Sequence, residues 1–118
     1  MAKKKDWKWI LYPNCYNNTI VKTLTEKEIK KLRSNYDRNL SNPRPVIKLK
    51  NSSGLQTGFL FSLMPNIWAN ALFIYGPLDF SFGLVSLSNL AKLGFKRTES
   101  RGRLDELTLK EVLKELEK

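Results

Sequence analysis

The sequence predicts an α+β domain: a single mixed or antiparallel β-sheet of about five strands, with two longer helices and one short helix packed on it. Three observations carry that expectation. Two Thr-x-x-Glu capping boxes, Thr25 with Glu28 and Thr108 with Glu111, each open a stretch with apolar residues at helical spacing. Between them, residues 46–85 break into short runs rich in aromatic and β-branched residues, punctuated by Asn, Ser, Gly and Pro. Most of those runs fall in residues 51–91, where Asp79 is the one charged residue, as expected of buried strands.

Taken in order, Trp7–Tyr12 reads as a strand that Pro13-Asn14 stops. Leu24 and Ile29 flank the first capping box at the spacing of a hydrophobic staple. The helix it opens is expected to run to about Arg38, with Ile29, Leu32 and Tyr36 inward, and to end before Asn42, Pro43 and Pro45. Val46–Lys50 and Leu55–Leu63 read as a hairpin across the polar turn Asn51-Ser52-Ser53-Gly54. Ala71–Tyr75 and Phe80–Val85 read as two further strands around Gly76-Pro77-Leu78-Asp79. Ser86 is placed to cap a short helix that Gly94 terminates, and Phe95–Thr98 to form a last strand. The helix after Thr108 has the inner stripe Leu109, Val112, Leu113 and Leu116.

A chain of 118 residues fits one domain, residues 1–118, in which residues 1–6 read as a flexible basic arm. At 42% hydrophobic and 27% charged, the composition is that of a globular protein. One cysteine, Cys15, permits no internal disulfide and suits a reducing compartment. No apolar run of signal-peptide length precedes Pro13, so the expected location is the cytoplasm. Pro65, Asn66 and Asn70 interrupt the apolar segment Gly58–Tyr75, which therefore reads as buried sheet and not as a membrane span, which needs about 20 apolar residues.

Three segments stand out together: Leu24-Thr25-Glu26-Lys27-Glu28-Ile29, Pro45-Val46-Ile47-Lys48-Leu49, and Phe82-Gly83-Leu84-Val85-Ser86-Leu87-Ser88-Asn89-Leu90, with an echo through Leu93-Gly94-Phe95-Lys96-Arg97. In this order they resemble a family of small proteins of unknown function met on plasmids, integrative elements and phages. The resemblance spans residues 24–98 and implies an α+β fold and a bacterial mobile-element origin, without a known chemistry. The chain departs from the family where an acidic Glu-x-Asp-Pro stretch is replaced by Ser62-Leu63-Met64-Pro65-Asn66, and in being more basic.

The residue inventory points away from catalysis. Histidine is absent, which removes the commonest general base and metal ligand. Cys15 has no second thiol for a structural zinc site, and the glycines lack phosphate-cradling spacing, so no metal and no cofactor is expected. Asp79 sits in a Gly-Pro-x-Asp turn, where aspartate commonly bonds nearby backbone. The one enzyme class compatible with these residues is a histidine-free endoribonuclease of the toxin type, with Arg97, Glu99, Arg101, Arg103 and Tyr75 as candidates.

Charge points to binding. Residues 1–50 hold 13 Lys/Arg against 4 Asp/Glu, and the whole chain carries a net +10. At 100° per residue from Ile29, Lys27, Lys31, Ser34 and Arg38 fall opposite the apolar face of the first helix, with Lys30 near the edge. Lys27, Lys30, Lys31 and Arg38 thus form an outward ridge suited to phosphates, which Lys3, Lys4, Lys5 and Lys8 of the arm are placed to extend. Trp7 and Trp9 share one strand face, which favours core packing over base stacking. The last helix instead mixes Lys110, Glu111, Lys114, Glu115 and Lys118 outward, the pattern of a solvated face. The leading expectation is a small basic, non-enzymatic protein that binds nucleic acid. The alternatives are an inhibitor or adaptor of a host defence protein, and then the ribonuclease.

Overall fold

The computed structural model describes residues 11–39, 41–76, 79–99 and 102–117. It holds one five-stranded antiparallel sheet: β1 (Ile47–Lys50), β2 (Thr57–Leu63), β3 (Trp68–Gly76), β4 (Asp79–Ser86) and β5 (Lys96–Arg97), in the order β4-β3-β2-β1-β5. The helices are α1 (Glu26–Arg38), α2 (Leu87–Lys92) and α3 (Leu109–Leu116), with 3₁₀ turns at Pro13–Asn17, Val21–Thr23 and Arg103–Glu106. The α+β expectation is met, and both long helices start at their capping boxes.

β2 sits near the middle of the sheet and is buried from Gly58 to Leu63 without alternation, because both faces are covered. On one face Ile47, Leu49, Leu60, Leu63, Ala69, Ala71 and Phe73 pack under Ile29 and Leu32 of α1, Leu87 and Leu90 of α2, and Leu11, Ile20, Val21 and Leu24. On the other, Phe59, Phe61 and Leu72 pack under Leu109 and Val112 of α3, with Leu113 and Leu116 at the rim. Gly58 pairs with Phe73, and a Cβ there would meet the ring at 2.5 Å, so the glycine makes room for the Phe73 ring to lie across β2.

Several boundaries shift from those the sequence suggests. The hairpin turn extends to Gln56, whose carbonyl accepts from Asn51 N–H at 3.2 Å, and Leu55 is 78% exposed rather than the start of a strand. β3 starts at Trp68, because Met64 N–H bonds the Trp68 carbonyl at 2.8 Å and closes a tight turn through Ile67. The last strand contracts to Lys96–Arg97. Leu11 and Tyr12 are not in a strand: Tyr12 leads into the 3₁₀ turn at Pro13. Residues 7–10, the rest of that expected strand, lie outside the described residues.

The inner face of α1 also differs. Ile29 and Leu32 point inward, but Tyr36 is 38% exposed, and Arg33 and Asn35 are buried instead. The cause lies in β2. The ladder register jumps between Leu60 and Ser62, making Phe61 a bulge, and the pairing of β1 stops at Leu60. The carbonyls beyond that point need donors from elsewhere. Asn35 Nδ2 donates to the Phe61 carbonyl at 2.8 Å, and Arg33 Nη1 to the Leu63 carbonyl at 3.1 Å. Tyr36 lies against the Arg33 guanidinium, 5.9 Å from its ring centroid, at the margin of the core.

Candidate nucleic-acid interface

The capping box fixes where α1 begins. Thr25 N–H donates to Glu28 Oε1 at 2.8 Å, and Glu28 N–H donates to Thr25 Oγ1 at 3.1 Å. From the far side of the first turn, Arg97 of β5 grips Glu28 through Nη1 at 2.6 Å and Nη2 at 2.5 Å, and also donates to the Thr23 carbonyl at 2.9 Å. Burial opposes ionisation of Glu28, but the Arg97 hydrogen bonds, the Thr25 N–H and the Arg97 charge prevail and hold its carboxyl below the ordinary value. Each acid of α1 is engaged by a cation outside the line of Lys27, Lys31 and Arg38: Glu28 by Arg97, Glu26 by Lys30 and Asp37 by Arg33.

Lys27, Lys31 and Arg38 are exposed along the outer line of α1, as the helical spacing requires, and no acidic partner of theirs stands among the described residues. Lys30 lies at the edge of that line, where the helical spacing put it. It is half-buried, with Nζ 3.5 Å from Glu26 Oε2 one turn back, and belongs to the flank of the ridge. Lys3, Lys4, Lys5 and Lys8 lie outside the described residues.

Two grooves run beside the ridge. One, of about 490 Å³, is lined by Lys31 and Asn35 of α1 and by residues 42–46, including Arg44. The other, of about 410 Å³, is lined by Tyr16, Lys22 and Leu24 with Glu26, Ile29 and Lys30. Arg44 is the residue that sequence reasoning missed. It sits between Pro43 and Pro45, whose fixed backbone holds the segment extended, and its Nη1 donates to the Glu106 carbonyl. A cation between two prolines beside a basic helix was the available signal. The same segment fastens α3: Leu109 N–H donates to the Pro43 carbonyl and Lys110 N–H to Asn42 Oδ1, both at 2.8 Å.

Of the ribonuclease candidates, Arg97 and Glu99 stand together and Tyr75 stands apart from them. Arg97 is engaged by Glu28 and, through Nε at 2.8 Å, by Glu99. Tyr75 lies on β3, three strand positions or about 14 Å across the sheet, with its hydroxyl 3.1 Å from Ser81 Oγ. Arg103 pairs with Glu115 at 2.6 Å, and Arg101 lies outside the described residues. Among the described residues no three His, Cys, Asp or Glu side chains stand together as metal ligands, and no helix is long and apolar enough to cross a membrane. Cys15 is half-buried against the larger of the two core clusters.

In comparisons with known proteins, no family model, no curated protein and no solved structure matches this chain.

Proposed function

We propose that this chain is a non-enzymatic binding protein that associates with nucleic acid through the outer face of α1. Lys27, Lys31 and Arg38 contact phosphates, Lys30 joins them from the flank, and Arg44 extends the contact across the adjoining groove. The observation that carries the reading is the exposed line of Lys27, Lys31 and Arg38 on a helix whose two first-turn acids are engaged by other cations, Glu28 by Arg97 and Glu26 by Lys30. A cationic line of this kind suits a phosphate backbone, whose condensed counterions are released on contact. The resemblance to proteins of mobile elements fits a chain that works on or beside nucleic acid.

The test is recovery of the tagged protein from a bacterial lysate with and without nuclease treatment. Nucleic acid should copurify without nuclease and disappear with it. A protein that stays bound after nuclease treatment, with no nucleic acid recovered in either case, would replace this reading with that of an inhibitor or adaptor of a host protein. Degradation of added RNA by the purified chain would instead favour the ribonuclease.

A further inference from the structure

The two edges of the sheet are built differently. β5, at one edge, is two residues long and both are cations, Lys96 and Arg97, which is how natural edge strands are protected from further pairing. β4, at the other edge, runs eight residues from Asp79 to Ser86 and contains no lysine, arginine or proline. The irregularity of its ladder with β3 falls at the hairpin end, between Ile74 and Gly76, and leaves Phe80–Ser86 regular. Among the described residues β4 pairs with β3 alone, so the backbone N–H and C=O groups of its outer side have no ladder partner. Phe82 and Leu84 stand 44% and 55% exposed on the face that α3 partly covers, and Phe82 meets Phe61 edge-on at 5.9 Å. Between them Gly83 leaves the opposite face open, with no atom within 4 Å of the place a Cβ would take.

We propose that β4 is a homodimer seam, pairing antiparallel with β4 of a second copy to join two sheets into one. Charge selects this occupant. A chain of net +10 meets its own copy closely only where neither presents cations, and residues 80–91 carry no charge at all. An acidic partner finds no cation on β4 to attract it. The ridge on α1 packs over β2, about 10 Å from β4, so the ridges of two paired copies lie farther apart than the Debye length of about 8 Å at physiological salt. The strand is also complementary to itself. A two-fold axis at Gly83 sets Phe82 of each copy opposite Leu84 of the other and Phe80 opposite Ser86. Both α3 helices then lie on the same side of the joined sheet, and Asp79 stays outside the new ladder.

The test is sedimentation velocity of the full, nucleic-acid-free chain over a concentration series, at low and at high salt. The expected result is a species of twice 13.7 kDa whose formation is favoured by salt, since screening relieves the repulsion between like-charged copies. That sign is opposite to the salt dependence of nucleic-acid binding. Leu84→Lys and, separately, Phe82→Lys should return the protein to 13.7 kDa with an unchanged circular-dichroism spectrum. Hydrogen exchange should show outward amides of β4 protected in the wild type and fast in Leu84→Lys. A monomer at every concentration overturns the proposal, whether its β4 amides exchange fast, as at a free edge, or slowly, as under another segment of the same chain. A dimer that survives both lysine substitutions overturns it too, by placing the seam elsewhere.

Discussion

α1 and α3 begin in the same way and present different surfaces to water. At each start the cap N–H, Thr25 or Thr108, donates to a glutamate three residues on, Glu28 or Glu111, at 2.8 Å. Beyond the first turn they diverge. α3 rests on the sheet through Leu109 and Val112, with Leu113 and Leu116 at the rim, and its outer residues alternate in sign through Lys110, Glu111 and Lys114. α1 adds to its apolar contacts two side-chain hydrogen bonds to β2 carbonyls, from Arg33 and Asn35. Apolar contact is non-directional, whereas a hydrogen bond to a fixed carbonyl sets the rotation of the helix. The difference teaches that the direction of the cationic ridge is fixed from inside, by the polar clamp over the Phe61 bulge.

Substitutions at the two inner faces test that contrast most strongly. Leu109→Ala should lower stability by about 2–5 kcal/mol, the usual range for a buried leucine truncated in a core. Asn35→Ala should cost about 1–3 kcal/mol by leaving the Phe61 carbonyl buried without its donor. Urea unfolding measures both. A neutral Asn35→Ala would mean that the Asn35 hydrogen bond does not help to seat α1 on the sheet, and the comparison would collapse.

The caps sharpen it further. Thr25→Ala and Thr108→Ala should each cost about 1 kcal/mol. Glu28→Gln should cost more than Glu111→Gln, because Glu28 also carries the Arg97 pair while Glu111 holds only its cap and stands in solvent. Both carboxyls are held below the ordinary value of 4.5, Glu28 as described and Glu111 chiefly by the hydrogen bond from the Thr108 N–H. A depressed carboxylate contributes stability that is fully present above the ordinary value and is lost as pH falls through the folded value. The melting temperature should therefore fall as pH is lowered from 5 toward 3, and Glu28→Gln should flatten that fall more than Glu111→Gln does. Equal flattening by the two would show that the Arg97 contact adds nothing to the cap.

What the sequence disclosed follows the range of each interaction. The capping boxes, the staple of Leu24 and Ile29, the stripe of α3 and the Ser86 cap depend on residues within one helical turn, and they are where the spacing put them. The central strands were legible as apolar runs with turn residues between them. Tyr36 was misplaced because the inner positions of Arg33 and Asn35 answer a bulge nearly thirty residues away, which no local spacing records. Lys30 was placed at the edge of the ridge, and Glu26, four residues before it, meets it there. Arg44 was missed because its place beside Lys31 exists only once the chain has folded back along α1.

The smallest expected change in stability accompanies the most informative change in binding. Lys27→Glu with Lys31→Glu alters two exposed side chains and should shift stability by no more than about 0.5 kcal/mol. The measurement is fluorescence anisotropy of a labelled nucleic acid across a salt series, for the wild type, for this double variant and for Lys110→Glu with Lys114→Glu on α3. Reversal on α1 should weaken binding and flatten the log–log salt slope by about 1.4–1.8, two contacts' worth, while reversal on α3 leaves the slope near that of the wild type. Equal affinities and equal slopes for the two double variants would contradict the account, because the outer face of α1 would then be no more a binding surface than that of α3.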